Sequence, residues 1–129
     1  MSARETLLAA LQTTLSGLCS GRVYRSRKEQ LPALPAIVIR PESEEGAGDL
    51  LGRQDATLLT AIDIYASGDI PDQTADPILA AVESALFAAP DLGLGPDVQI
   101  KPGRRIEWDI ENFDDGRATL HIEIIYRQP

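Results

Sequence analysis

The fold is decided by Arg117-Ala-Thr-Leu-His-Ile-Glu-Ile-Ile-Tyr-Arg127. Leu120, Ile122, Ile124 and Tyr126 fall on one side of an extended chain, and His121 and Glu123 fall on the other. Such alternation marks a strand with one covered face and one wetter face. Ile125 interrupts the polar side, so that side is partly shielded too. Upstream, Ile106, Trp108 and Ile110 alternate with Glu107, Asp109 and Glu111. Between the two runs, Asn112-Phe-Asp-Asp-Gly116 supplies residues that tolerate the positive φ a reversal needs. The pair predicts a C-terminal antiparallel hairpin.

Working outward, 129 residues and 14.0 kDa predict a single domain over 1–129. Such a chain buries about two thirds of the surface its unfolded form exposes, enough for a core without staples. The one cysteine, Cys19, cannot form an internal disulfide and points to a reducing compartment. No run of about 18 apolar residues is present, and the first residues lack a signal-peptide pattern. A soluble cytoplasmic chain is the expectation. A formal charge of -8 opposes binding to phosphate backbones, since such binding needs Lys and Arg to displace counterions.

From the N-terminus, Ser2 to Leu18 reads as a helix. Ser2 and Glu5 have capping-box spacing, and Leu8, Leu11, Leu15 and Leu18 form its apolar stripe, flanked by Leu7. Gly17 and Gly21 end it. Arg22 to Lys28 begins as a short, basic edge strand. Ala36 to Arg40 is an apolar strand expected to stop at Pro41. Glu42 to Gln54 fits no period and is expected to be a long loop, of the kind that is functional or disordered. Its Leu50 and Leu51 either bury against another chain or fold back on their own core. Asp55 to Tyr65 is a long strand with Leu58, Thr60, Ile62 and Ile64 in phase and Asp63 opposite. Ser67 to Thr74 reads as a turn. A second helix starts between Asp72 and Pro77 and runs to Ala89; Pro77 is tolerated only in a first turn, which favours the later start with Asp76 as cap. Val98 to Lys101 is a short strand that can run past Pro102 and Gly103 into the hairpin through a bulge.

This order predicts an α+β two-layer sandwich: a mainly antiparallel sheet of about four to five strands with two helices on one face. The outer face would carry Asp63, Glu107, Asp109, Glu111, His121 and Glu123, too charged for burial and therefore turned to water or a partner.

The inventory offers little chemistry. A catalytic triad or Cys-His pair would have to use His121, which sits on a regular strand and reads as a cross-strand surface residue. Cys19 and His121 lack two further ligands at zinc spacing. Gly46-Ala-Gly48 and Gly93-Leu-Gly95 lack the context of a phosphate loop. Glu107, Asp109 and Glu111 could mimic a row of phosphates or, with Glu123, hold a cation; the commoner outcome is a face relieved by cations of neighbouring strands. No enzyme activity, metal or cofactor is expected.

Taken together, the N-terminal helix ending near Gly21, Arg22-Val-Tyr-Arg25, Leu31-Pro-Ala-Leu-Pro-Ala-Ile-Val-Ile39, the acidic loop, Leu59-Thr-Ala-Ile-Asp-Ile-Tyr65, Ala88-Ala-Pro-Asp-Leu92 and the final strand resemble the tail terminators of long-tailed phages, the family of the lambda-type minor tail protein U. The resemblance covers most of the chain and carries no catalytic signature. It implies a virion protein, assembled in the host cytoplasm, that forms a ring, usually of six, on the head-proximal end of the tail tube. Such a ring stops tube polymerisation, gives a head-completion or connector protein a surface to join, and lets DNA pass without binding it. No membrane is involved. Charge and loop length suggest an interface in which Arg25, Arg27 and Lys28 meet Glu42, Glu44, Glu45 or Asp49 of the next subunit while Leu50 and Leu51 bury between them. The acidic sheet face (Asp63, Glu107, Asp109, Glu111 and Glu123) would then line the lumen. A head–tail neck protein is the nearest rival reading, and an acidic DNA-mimic binding protein is a rival of another class.

Overall fold

The structure, a computed structural model, describes residues 2–26, 33–48, 54–67, 71–101, 103–109 and 115–128. In order they form α1 (Ala3–Leu15), a 3-10 turn (Cys19–Gly21), β1 (Val23–Arg25), β2 (Ala36–Gly48), β3 (Gln54–Ser67), α2 (Pro71–Ala88), β4 (Val98–Ile100), β5 (Arg105–Asp109) and β6 (Asp115–Gln128). The sheet runs β1-β2-β3-β6-β4, with β5 also paired to β6. Only the β1–β2 pairing is parallel among the described strands.

The predicted sandwich is observed, with six strands rather than four or five. Leu58, Ile62 and Ile64 of β3, with Leu120 and Ile124 of β6, are buried with Leu7, Leu11 and Leu15 of α1 and Leu79 and Val82 of α2 in one continuous core. Each such side chain contributes about 1.5–3 kcal/mol on removal from water. In α1, the Ser2 hydroxyl accepts from the Glu5 N–H at 3.1 Å, a cap worth about 1 kcal/mol. The helix stops at Leu15, a turn before the predicted end, and Leu7 is fully buried instead of flanking the stripe. Gly21 then takes φ +84, a left-handed conformation that reverses the chain into β1.

Four expectations are corrected. Pro41 does not stop β2: the strand continues to Gly48, paired in register with β3 down to Gln54. The register shifts between Pro41 and Ser43, and a proline without an N–H is accommodated at such an irregularity. Much of the expected loop is therefore the distal half of a hairpin; residues 49–53 lie outside the described residues. Second, α2 begins at Pro71, with Pro77 inside it. Pro77 has no N–H to offer the Gln73 carbonyl, and both residues are exposed, so that carbonyl is left open to solvent and not buried unpaired. Third, β4 and β5 are separate strands that pair with different parts of β6. Fourth, Asp63 does not face water. It is 1% exposed, and its surroundings belong to the site. The predicted pairing of 106–111 with the last strand is found as β5 against β6; residues 110–114, including the turn, lie outside the described residues.

Candidate functional site

The sheet face opposite the helices is polar, and its charges are arranged in chains across the strands. Asp63 lies diagonally from Arg40, because Arg40 pairs with Ala61 and Asp63 with Val38. Arg40 Nε donates to Asp63 Oδ2 at 2.6 Å, and the Thr119 hydroxyl donates to Oδ1 at 2.7 Å. A carboxylate taken out of water needs such partners; without them its burial costs several kcal/mol. Asp63 and its hydrogen bonds hold the guanidinium of Arg40 above its ordinary value despite the opposing effect of burial.

The next row centres on His121. Arg40, Ala61 and His121 are successive partners across β2, β3 and β6. Ala61 is small and fully buried, which leaves room for longer side chains to reach across β3. Glu42 Oε1 lies 2.6 Å from His121 Nδ1. Glu107 Oε1 lies 2.8 Å from Nε2, a close contact that does not form a hydrogen bond. Arg105 pairs with Glu107 in turn. His121 is thus a cross-strand residue, as the sequence suggests, but a half-buried one that bridges β2 and β5. Further along, Lys101 pairs with Glu123 at 3.2 Å and Arg117 with Asp109 at 3.6 Å. Every described acid of the expected acidic face therefore has a cationic or imidazole neighbour from this chain; Glu111 lies outside the described residues.

The residues expected at a subunit interface are divided. Arg25 makes a two-pronged pair with Glu5, both bonds 3.0 Å. Arg25 holds the Glu5 carboxyl below the usual range. Glu44 accepts from Arg4 Nε at 3.0 Å and from the Tyr126 hydroxyl. Arg4, with Tyr126 assisting, depresses its carboxyl against the effect of burial. Glu45 is exposed and makes no ion pair among the described residues. Arg27, Lys28, Asp49, Leu50 and Leu51 lie outside the described residues. β1 and the acidic half of β2 are neighbours on one sheet edge, so a protomer already meets part of its own basic–acidic complementarity.

Sequence reasoning missed the opposite edge. Phe87 is 78% exposed and Trp108 44% exposed. Phe87 lines a groove of about 310 Å³ with Leu86, Ile100, Gly103, Arg104 and Ile122. The sequence places Ile78, Leu79, Val82, Leu86 and Ala89 on the apolar stripe of this helix, and Phe87 falls outside it, which was the available signal. No group of three or more potential metal ligands occurs among the described residues. Cys19 lies against the helix-side core, where burial pushes its thiol up, while His121 is on the other face. No helix among the described residues is long and apolar enough to cross a membrane.

An α+β protomer with charge chains on one sheet face and exposed aromatics at one edge has the make-up of an assembly subunit, and comparison with known proteins gives the kind. A family model described as tail completion protein gp17 matches residues 5–125, which makes this a virion structural protein of the phage tail or neck. The chain belongs to that tail completion family. A chain in a solved structure titled "Virion of native gene transfer agent (GTA) particle" superimposes with a TM-score of 0.74 at 24% identity, covering 99% of this chain and 100% of that one. That likeness shows a shared fold. A search of curated proteins found no match.

Proposed function

We propose that the chain forms a ring, most simply a hexamer, on the head-proximal end of a phage-type tail tube. There it ends tube polymerisation and presents the surface joined by a head-completion or connector protein. The observation that carries this reading is the family match over residues 5–125, on a protomer whose two sheet edges are, among the described residues, both open beyond their short terminal strands. The work is structural, without chemistry of its own. In the ring, the outer sheet face with Glu107, Asp109 and Glu123 borders the lumen. Its cations are already held by acids of the same chain, so passing DNA meets little free positive charge and releases few counterions there.

The test is electron microscopy of tails assembled with and without the chain. Tubes that grow past their normal length in its absence support a terminator. Tubes of normal length that merely fail to take heads contradict termination and indicate a neck protein.

A further inference from the structure

The two edges of the sheet are complementary in charge towards each end of the strands. Following the paired residues across the sheet, Val23 of β1 aligns with Ile37, Ile64, Ala118 and Trp108 of β5. At this level the β1 edge carries Arg22 and Arg25, while the far edge carries Asp109, with Asp72 and Asp76 of α2 beside Trp108. Asp72 and Asp76 make no ion pair among the described residues. Six residues further along β2 the signs reverse. Ser43 aligns with Leu59 and Glu123, and the Lys101 N–H donates to the Glu123 carbonyl at 2.8 Å. Here the β2 edge offers Glu42 and Glu45 on either side of Ser43, and the far edge offers Lys101; Arg105 lies nearer the middle, level with Arg40. Glu45 and Lys101 both project from the outer face, since Glu45 pairs with Thr57 and Lys101 reaches Glu123.

Among the described residues both edges are also unfilled. β1 covers β2 only over Ile37–Ile39; beyond it no described strand pairs with the outer side of β2, and residues 41–46 are all exposed. On the far side, the exposed large apolar residues among those described, Phe87, Leu94 and Trp108, lie on or next to β4 and β5. An open edge and an apolar patch are both unfavourable on a lone protomer and are normally covered by a partner.

We propose that the partner is a second copy of this chain, docked head-to-tail with its β1/β2 edge against the β4/β5 edge of its neighbour. Glu42 and Glu45 then flank Lys101, Arg22 and Arg25 face Asp109, Asp72 and Asp76, and Phe87 and Trp108 are covered. The opposite signs at the two ends of each edge fix the direction of docking, because a flipped neighbour brings like charges together. Such a contact is heterologous and closes into a ring when its rotation does. The inference rests on the ring reading and names its contact. It also replaces the expected pairing of Arg25 with the neighbour's acidic segment, since that segment lies on Arg25's own edge.

The test is sedimentation equilibrium at low and high salt, with purified tail tubes supplied as template in a parallel series. Glu45→Lys and Lys101→Glu are each expected to weaken self-association by about tenfold or more, and the double reversal to restore most of it. Circular dichroism and melting confirm that each variant folds, and Lys101→Gln controls for loss of the internal Glu123 pair. Single reversals that associate like wild type, or a double reversal no better than the singles, overturn the edge contact and leave the ring reading standing. A wild-type chain that stays monomeric at every concentration, with and without tubes, removes both.

Discussion

Within β3 the same strand serves two different environments. Leu58, Ile62 and Ile64 point into an apolar layer beneath α1 and α2, while Ala61 and Asp63, one residue out of phase, are equally inaccessible on the other face. The helix side is held by area removed from water, which is non-directional and tolerates rearrangement. The outer side is held by directed bonds: Arg40 and Thr119 on Asp63, and Glu42 on His121. The difference assigns the two faces separate tasks. Burial decides which elements pack together. The polar face pins the register, because a slip of one residue would carry Asp63 into the apolar layer and expose its partners.

The largest effect that breaks this contrast is expected at Arg40. Arg40→Met leaves the Asp63 carboxylate buried with only Thr119, and should cost about 3 kcal/mol in urea unfolding. Asp63→Asn keeps the shape and leaves a half-exposed guanidinium, so its cost should be smaller, about 1–2 kcal/mol. The reverse order would mean that the carboxylate is not what the pair protects. On the apolar side, the Thr60 hydroxyl is buried without a partner, so Thr60→Val should stabilise the protein by up to about 1 kcal/mol. A loss on that substitution would show that the helix-side layer has polar requirements after all.

The smallest effect is one of pH. Arg4, aided by Tyr126, lowers the Glu44 carboxyl. The stability it contributes is therefore present above the unfolded value and lost as pH falls through the lowered folded value. Glu44→Gln should unfold more easily than wild type at neutral pH, and the two unfolding curves should converge in acid. A gap that does not narrow on acidification would mean that the ion pair is not the source.

The apolar half of this architecture was legible in the sequence, because burial imposes a period. The phases of α1, β3 and β6 follow directly from Leu8, Leu11 and Leu15 and from the alternating isoleucines. The distal half of β2 was not legible. Residues 42–48 carry no alternating apolar side chains, since that strand lies at an open edge and is held by backbone pairing to β3. Asp63 was placed on the correct face but in the wrong environment. Phase tells where a side chain points, and only the pairing register shows that Arg40 lies diagonally across from it. For the candidate site, the cations and acids were visible as types. Their partition between Arg25–Glu5, Arg4–Glu44 and the two sheet edges depends on which strands are neighbours, which charge and spacing alone do not state. Phe87 and Trp108 were legible as residues out of keeping with a solvated position only once the edge they share was known.

The central claim is that this protein acts by closing around the end of a tail tube through the opposite edges of its own sheet. Electron cryomicroscopy of the head-proximal end of assembled tails tests it most directly. The account predicts a closed ring of this chain, with Glu45 of each subunit facing Lys101 of the next. A single peripheral copy, or a ring whose neighbours leave both sheet edges uncovered, contradicts it.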